Sequence, residues 1–427
     1  MKAAVEDLSS VKKKIQIEIP EDQVVREVDL AYKELQKKAK IKGFRPGKVP
    51  RSILEQHFKD YVKVEVIQKL IEATYPTALT ETKLHPVSNP VIDHGEVEAK
   101  KPFQYSAIIE VKPELKMEGY LGLNLEGRKE EARDEDVEER LKALQNLHAN
   151  LKTITEPRPI RQGDYVILDY EARLDGKPLA EGKGIDFTVE VGGGRFIPAL
   201  EEKLVGLNPE EEKDVDVSFP EDYGFKKWAG KTISFHVKIK EIKGKVLPAL
   251  DDEFAKDLGD YASLTDLKAK LKTDLDREKE MAFQKQLKDQ IVDHLIEANP
   301  LEIPESLVEE QTKALASDTK LKLAAQGVDL KNLNISDEKL QEDYRETAKK
   351  QVWTYLMLEK IADQEGIQVT DEEVEGRLRE ISERSQQKFD AVKRYYEKNE
   401  LIPEVKAGLL SDKTLNLLLE KAHVTNG

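Results

Sequence analysis

The sequence predicts a multidomain α+β protein: a small α+β N-terminal domain, an inserted antiparallel sheet carrying one helix, and an elongated all-helical C-terminal region. Three observations predict it. Apolar and polar residues alternate near both ends of the first 112 residues, with helical periodicity between them. Residues 160–245 are rich in glycine and in short alternating runs. From Leu264 to Gly427 only five glycines occur, and leucines recur at spacings of three and four.

At 427 residues the chain is too long for one core. The first segment, 1–112, opens with Ile15, Ile17 and Ile19 alternating with Gln16 and Glu18, a half-buried strand that Pro20 ends. Val24, Val28, Ala31 and Leu35 then form a helical stripe. Further helices are expected from about Pro50 to Phe58 and from Val62 to Tyr75, with Pro76 as a stop. Phe103, Tyr105, Ala107, Ile109 and Val111 return to alternation, as a strand closing the unit.

Residues 113–150 read as a connector. The acidic run 130–139 opens a helix, where carboxylates suit the positive end of the dipole, and its apolar side is Val137, Leu141, Leu144 and Leu151. Residues 151–245 form the insert. Val166, Leu168, Tyr170, Ala172 and Leu174 alternate, and Asp175-Gly176 supplies a hairpin turn. Another strand is expected over 186–191, then the Gly192-Gly193-Gly194 turn and a short helix from about Pro198 to Leu204 that stops at Gly206. Val215, Val217 and Phe219, and then Ile233, Phe235, Val237 and Ile239, complete an antiparallel sheet with one helix on it. Residues 246–427 read as helices broken near Pro300, Pro304 and Pro403, with Thr370-Asp371-Glu372-Glu373 as a capping box.

Composition excludes several chemistries. With 36% charged residues, 6% aromatic ones and a net charge of −15, a generally nucleic-acid-binding surface is not expected. There is no cysteine, hence no disulfide, thiolate metal site or thiol nucleophile. Residues 1–7 lack the apolar core of a signal peptide, and no apolar run nears the ~18 residues that cross a bilayer, so a cytoplasmic chain with no membrane partner is expected. The triple glycine lacks the Lys-Ser/Thr that a phosphate loop needs. The seven histidines stand at no metal-ligand spacing, and no cofactor is expected.

One segment reverses the acidic balance. Lys37, Lys38, Lys40, Lys42, Arg45, Lys48 and Arg51 place seven positive charges in fifteen residues without an acidic one. Gly43 is suited to close the preceding helix, and Pro46 and Pro50 fix φ on either side of Gly47, which makes a stiff loop presenting Phe44 and Arg45. An aromatic anchor beside a forked cation is a docking pair, and a solvated basic loop with Phe44 tucked inward is the other reading of the same residues.

The run Gly43-Phe44-Arg45-Pro46-Gly47-Lys48-Val49-Pro50, between two helices near the N-terminus, resembles the ribosome-binding signature of the bacterial trigger factor family. The order of segments is similar over essentially the whole chain. The resemblance implies that Gly43, Phe44, Arg45, Pro46, Gly47 and Lys48 bind the large ribosomal subunit near the exit tunnel. Pro46 departs from the basic residue that many relatives carry, losing a charge and gaining stiffness.

Residues 163–243 resemble an FKBP-type prolyl isomerase through Gly163-Asp164, Asp175-Gly176, Gly194-Arg195-Phe196-Ile197-Pro198 and Phe219-Pro220-Glu221-Asp222-Tyr223. The resemblance implies a proline pocket lined by Tyr170, Phe187, Phe196, Ile197, Tyr223 and Phe235. Leu179 and Leu200 stand where the family has aromatic residues, and Ala180 where an acid is common, which implies weakened turnover. By themselves these alternating aromatics also fit the core of a small sheet.

The function expected from the resemblance is a ribosome-associated chaperone holding nascent and unfolded polypeptides, with an isomerase domain; a homodimer off the ribosome is compatible with it. The helical region is then a chaperone domain that recruits the 113–150 connector. Two rivals remain at this level: an isomerase with helices for dimerisation, and an RNA-binding protein using the basic loop.

Overall fold

The computed structural model describes residues 1–425 except 42–43, 46, 99–100, 157, 222, 224, 226 and 327–335, and the side chain of Ala180. The chain divides into two units, Met1–Gly127 with Gln286–Gly427, and Arg128–Lys285.

In the first unit, strands β1 (Lys2–Asp7), β2 (Lys12–Ile19), β3 (Val91–His94) and β4 (Phe103–Glu110) form an antiparallel sheet in the order β1-β2-β4-β3. Its inward residues are those whose alternation marked them: Ile15, Ile17, Ile19, Phe103, Tyr105, Ala107 and Ile109 are all buried. They pack with Val24 and Ala31 of α1 (Glu21–Lys38) and Leu54, Val62, Val66, Leu70 and Ala78 of α2 (Arg51–Thr82). The sequence marked neither β1 nor β3. Both are edge strands with little buried apolar surface, so neither carries a clear period of two.

The break expected after Phe58 exists as one non-helical residue, φ −131° and ψ 18°, between the two parts of α2. The stop expected at Pro76 does not. The helix continues to Thr82 because Val66, Leu70, Thr74 and Ala78 keep one buried stripe running past the proline, and that burial offsets the lost backbone donor.

The other part of this unit is helical: α7 (Glu305–Ala325) and α8 (Asp337–Glu365) pack along each other, and α9 (Asp371–Arg384), α10 (Phe389–Lys398) and α11 (Ile402–Lys421) form a smaller cluster around Val374, Leu378 and Val392. Pro304 caps α7, whereas Pro403 lies inside the first turn of α11, where its missing N–H costs nothing. The helical part also ends in a strand. β11 (His423–Thr425) pairs in parallel with β5 (Asn124–Glu126), and the Gln290 side chain donates to Glu126 O at 2.7 Å and accepts from Glu126 N–H at 2.9 Å. The Glu110 carboxylate accepts the Ser306 N–H at 2.8 Å in the first turn of α7, and Lys112 reaches Glu359 at 2.6 Å.

In the second unit, β6 (Asn150–Thr153), β7 (Tyr165–Leu174), β8 (Lys177–Glu190), β9 (Glu212–Ser218) and β10 (Thr232–Val246) form an antiparallel sheet, β6-β10-β7-β8, with β9 also on β10. The helix α4 (Pro198–Leu204) packs against it through Leu200 and Leu204, and Gly206 at φ +89° follows. β8 begins directly after the Asp175-Gly176 turn (φ +51° and +75°), nine residues before the expected start, since Gly182 and Gly184 interrupt its apolar pattern. The helices α3 (Asp134–Leu147) and α5 (Asp252–Leu258) share a core of Leu141, Phe254, Ala255 and Leu267 with the long α6 (Leu264–Ala298). Leu151, expected on the face of α3, is instead in β6 opposite Lys245, because the helix ends at Leu147.

Candidate functional site

The basic loop joins α1 to α2. Helix α1 ends at Lys38 with Ala39 extended, so it closes before Gly43, which together with Lys42 and Pro46 lies outside the described residues. The base of the loop is fixed. Val49 is fully buried, the Gln36 amide donates to Val49 O at 2.7 Å, and Pro50 caps α2. Gly47 takes φ +81°, and the Lys48 N–H donates to Arg45 O at 3.0 Å, a turn that only glycine enters without strain. From this frame Phe44 is 39% exposed, and Arg45 and Lys48 are exposed as well. Phe44 is therefore not tucked inward. Arg51, by contrast, is engaged within the domain, 2.6 Å from Asp29, 2.7 Å from Glu55 and stacked over the Tyr32 ring.

The second candidate lies on the sheet of the second unit. The Tyr170 ring stands 5.0 Å from Phe196 and 5.5 Å from Phe187, and Phe187 and Phe196 are 5.0 Å apart. Tyr170 also meets Phe235 at 6.4 Å, and Tyr223 packs on Phe219 at 4.6 Å, itself a neighbour of Phe235. Strand alternation puts Tyr170 and Phe235 on one face of adjacent strands, and the turn before α4 brings Phe196 and Ile197 over them. Phe235 and Ile197 are buried, Tyr170, Phe196 and Tyr223 are half-buried, and Phe187 is exposed at the rim. Burial raises the Tyr170 phenol above its ordinary pKa.

All six residues picked from the sequence thus belong to one aromatic and apolar group. The positions that depart behave differently from each other: Leu179 is half-buried, whereas Leu200 is fully buried in the core beneath. Trp228 was missed. It packs edge-on against Phe235 at 5.8 Å and against Phe219 at 5.2 Å, extending the aromatic surface from a segment with no regular pattern. Its one available signal was being the only tryptophan of the insert. Asp164 is structural: it accepts a fork from Arg158 at 2.6 and 2.8 Å and the Arg161 N–H at 2.8 Å. The Arg158 guanidinium holds its carboxyl below the ordinary range.

The Gly192-Gly193-Gly194 turn is filled from within. The Glu201 carboxylate accepts the N–H groups of Gly192, Gly194 and Phe196, so these amides hold a protein carboxylate where a phosphate loop would hold phosphate. Among the described residues no cluster of three or more His, Asp or Glu side chains could hold a metal, and no helix is long and apolar enough to cross a membrane.

Comparison with known proteins covers nearly the whole chain. Residues 1–144 match the family model for bacterial trigger factor protein, residues 263–420 that for the trigger factor C-terminus, and residues 156–240 that for FKBP-type peptidyl-prolyl cis-trans isomerase. Trigger factor from Geotalea daltonii is 40% identical over 426 residues, covering 100% of this chain and 98% of the relative. That from Geobacter metallireducens is 41% identical over 427 residues, again 100% and 98%. A solved structure of the trigger factor chaperone, described for promiscuous substrate recognition in folding and assembly activities, superposes with a TM-score of 0.50 at 20% identity, over 99% of this chain and 100% of that one, which supports the shared fold.

Proposed function

Because this chain belongs to the bacterial trigger factor family, we propose that it works in the cytoplasm, partly on ribosomes, as a chaperone that meets nascent chains at the exit tunnel. It carries an FKBP-type peptidyl-prolyl isomerase domain. Residues 1–112 form the ribosome-binding domain, 113–150 the linker to the helical part, 151–245 the isomerase and 246–427 the chaperone region. The large ribosomal subunit and unfolded polypeptides are its partners, and no cofactor takes part.

The observation that carries ribosome docking is the contrast within one loop: buried Val49 and the Gln36 clamp at its base, exposed Phe44 and Arg45 at its tip. Gly43, Pro46, Gly47 and Lys48 complete the proposed contact, Gly47 supplying the positive-φ turn and Lys48 a further charge. Co-sedimentation with ribosomes tests it. Phe44→Ala/Arg45→Ala should leave the pellet, and a double mutant that pellets like its parent refutes the assignment.

The isomerase site is assigned to Tyr170, Phe187, Phe196, Ile197, Tyr223 and Phe235, on the support of their mutual packing. Rotation about the prolyl bond is opposed by amide resonance, a barrier of ~20 kcal/mol. A dry aromatic surface binds the twisted, less dipolar amide better than the planar one, so the reaction needs neither nucleophile nor metal. Clients bind the helical region weakly because each small apolar patch contributes only ~25 cal/mol per Å².

A further inference from the structure

We propose that Glu201 is a positioning residue of the isomerase site: its carboxylate fixes the turn 192–196, and so holds Phe196 against Tyr170 and Phe187. The inference rests on the aromatic group being that site.

Glu201 is 1% exposed, an expensive place for a carboxylate unless its oxygens are fully engaged. Among the described residues they are engaged by main-chain donors alone, from one turn: Oε2 accepts from Gly192 at 3.0 Å and Gly194 at 2.9 Å, and Oε1 accepts from Phe196 at 3.0 Å. Gly192 and Gly194 both take positive φ, +85° and +67°, which curls the turn so that these amides converge. Because Glu201 sits on α4, the turn and the helix that follows it become one rigid piece. The last of the three amides belongs to Phe196, whose ring lies 5.0 Å from both Tyr170 and Phe187. Catalysis by shape requires that ring to stay put while the substrate amide twists.

The test uses Glu201→Gln and Glu201→Asp in the full chain, with the exposed Glu202→Gln as control. Turnover of a chromogenic proline tetrapeptide is measured alongside amide exchange at Gly192, Gly194 and Phe196. Gln offers one accepting oxygen in place of two, and Asp keeps the charge but withdraws it by one methylene. We expect kcat/KM per folded molecule to fall roughly ten- to a hundredfold in Glu201→Gln, with faster exchange at the three amides and an unchanged control. A purely structural role would lower the unfolding temperature and leave kcat/KM per folded molecule at the parental value. That result overturns the proposal, as does lost activity with unchanged exchange. Should Gln unfold the domain, Asp supplies the same reading. Phe196→Ala separates the two levels: full activity there defeats the aromatic-site assignment, whereas lost activity there with retained activity in Glu201→Gln defeats only the role of Glu201.

Discussion

Tyr170 and Gly184 face each other across β7 and β8, and a Cβ on Gly184 would stand 2.3 Å from the Tyr170 ring. The glycine is what lets that ring lie flat enough on the strand to meet Phe196. Gly184→Ala should displace Tyr170, destabilise the isomerase domain by about 1–3 kcal/mol and lower prolyl turnover. Thermal unfolding and the tetrapeptide assay check this, and an alanine variant with parental values in both would contradict it.

Arg51 counts among the basic residues of the loop by sequence, yet its guanidinium is held by Asp29, Glu55 and the Tyr32 ring. Arg51→Ala should cost the N-terminal domain up to about 1 kcal/mol, because the ion pairs are half exposed, and leave ribosome co-sedimentation unchanged. Phe44→Ala/Arg45→Ala should do the reverse. Equal losses of sedimentation in both variants would mean that charge alone drives docking.

The Arg158–Asp164 fork predicts acid sensitivity. The folded-state pKa of Asp164 lies below its unfolded value, so the pair contributes fully above about pH 4 and loses its contribution as pH falls through the depressed folded value. Asp164→Asn should destabilise the isomerase domain by about 1–3 kcal/mol at pH 7 and flatten its pH dependence in acid. Urea titration at pH 7 and again in acid below about pH 4, followed by Trp228 fluorescence in a Trp353→Phe background, reads this directly. A variant with the parental acid slope would locate the sensitivity elsewhere.

Thr370 opens α9 with both bonds of its box made: its hydroxyl accepts the Glu373 N–H at 3.2 Å, and Glu373 accepts the Thr370 N–H at 2.8 Å. Thr370→Ala should cost about 1 kcal/mol, seen as faster amide exchange in the first turn of α9. Unchanged exchange there would show that packing of Val374 and Leu378 holds the helix start without the cap.

Sequence revealed most where one face of an element is buried and the other is not. Ile15, Ile17 and Ile19, or Phe103 through Ile109, carry their strands in plain alternation. It revealed least where the stabilising partner is distant. β1, β3, β5 and β11 are short or peripheral, and Pro76 is overruled by burial that only the tertiary structure supplies. The same division runs through the candidate sites. The six aromatic and apolar residues are legible through family motifs, while Glu201 looks like any surface glutamate until the turn folds over it. Trp228 escaped for a related reason: its place beside Phe235 is set by a loop, where no periodicity speaks.

The parallel pairing of β11 with β5 joins residues 423–425 to residues 124–126. Protein synthesis runs from the N-terminus, so this pairing forms only once residues 423–425 have been added, long after its partner strand. The segment 128–285 holds β6 to β10 with α3, α4, α5 and the first turns of α6, and can close early. The unit built from segments 1–127 and 286–427 has no such option: Leu125 lacks its strand partner until residues 423–425 have emerged. While residues 128–422 are being made, the apolar side chain of Leu125 therefore goes without the cover that β11 later gives it.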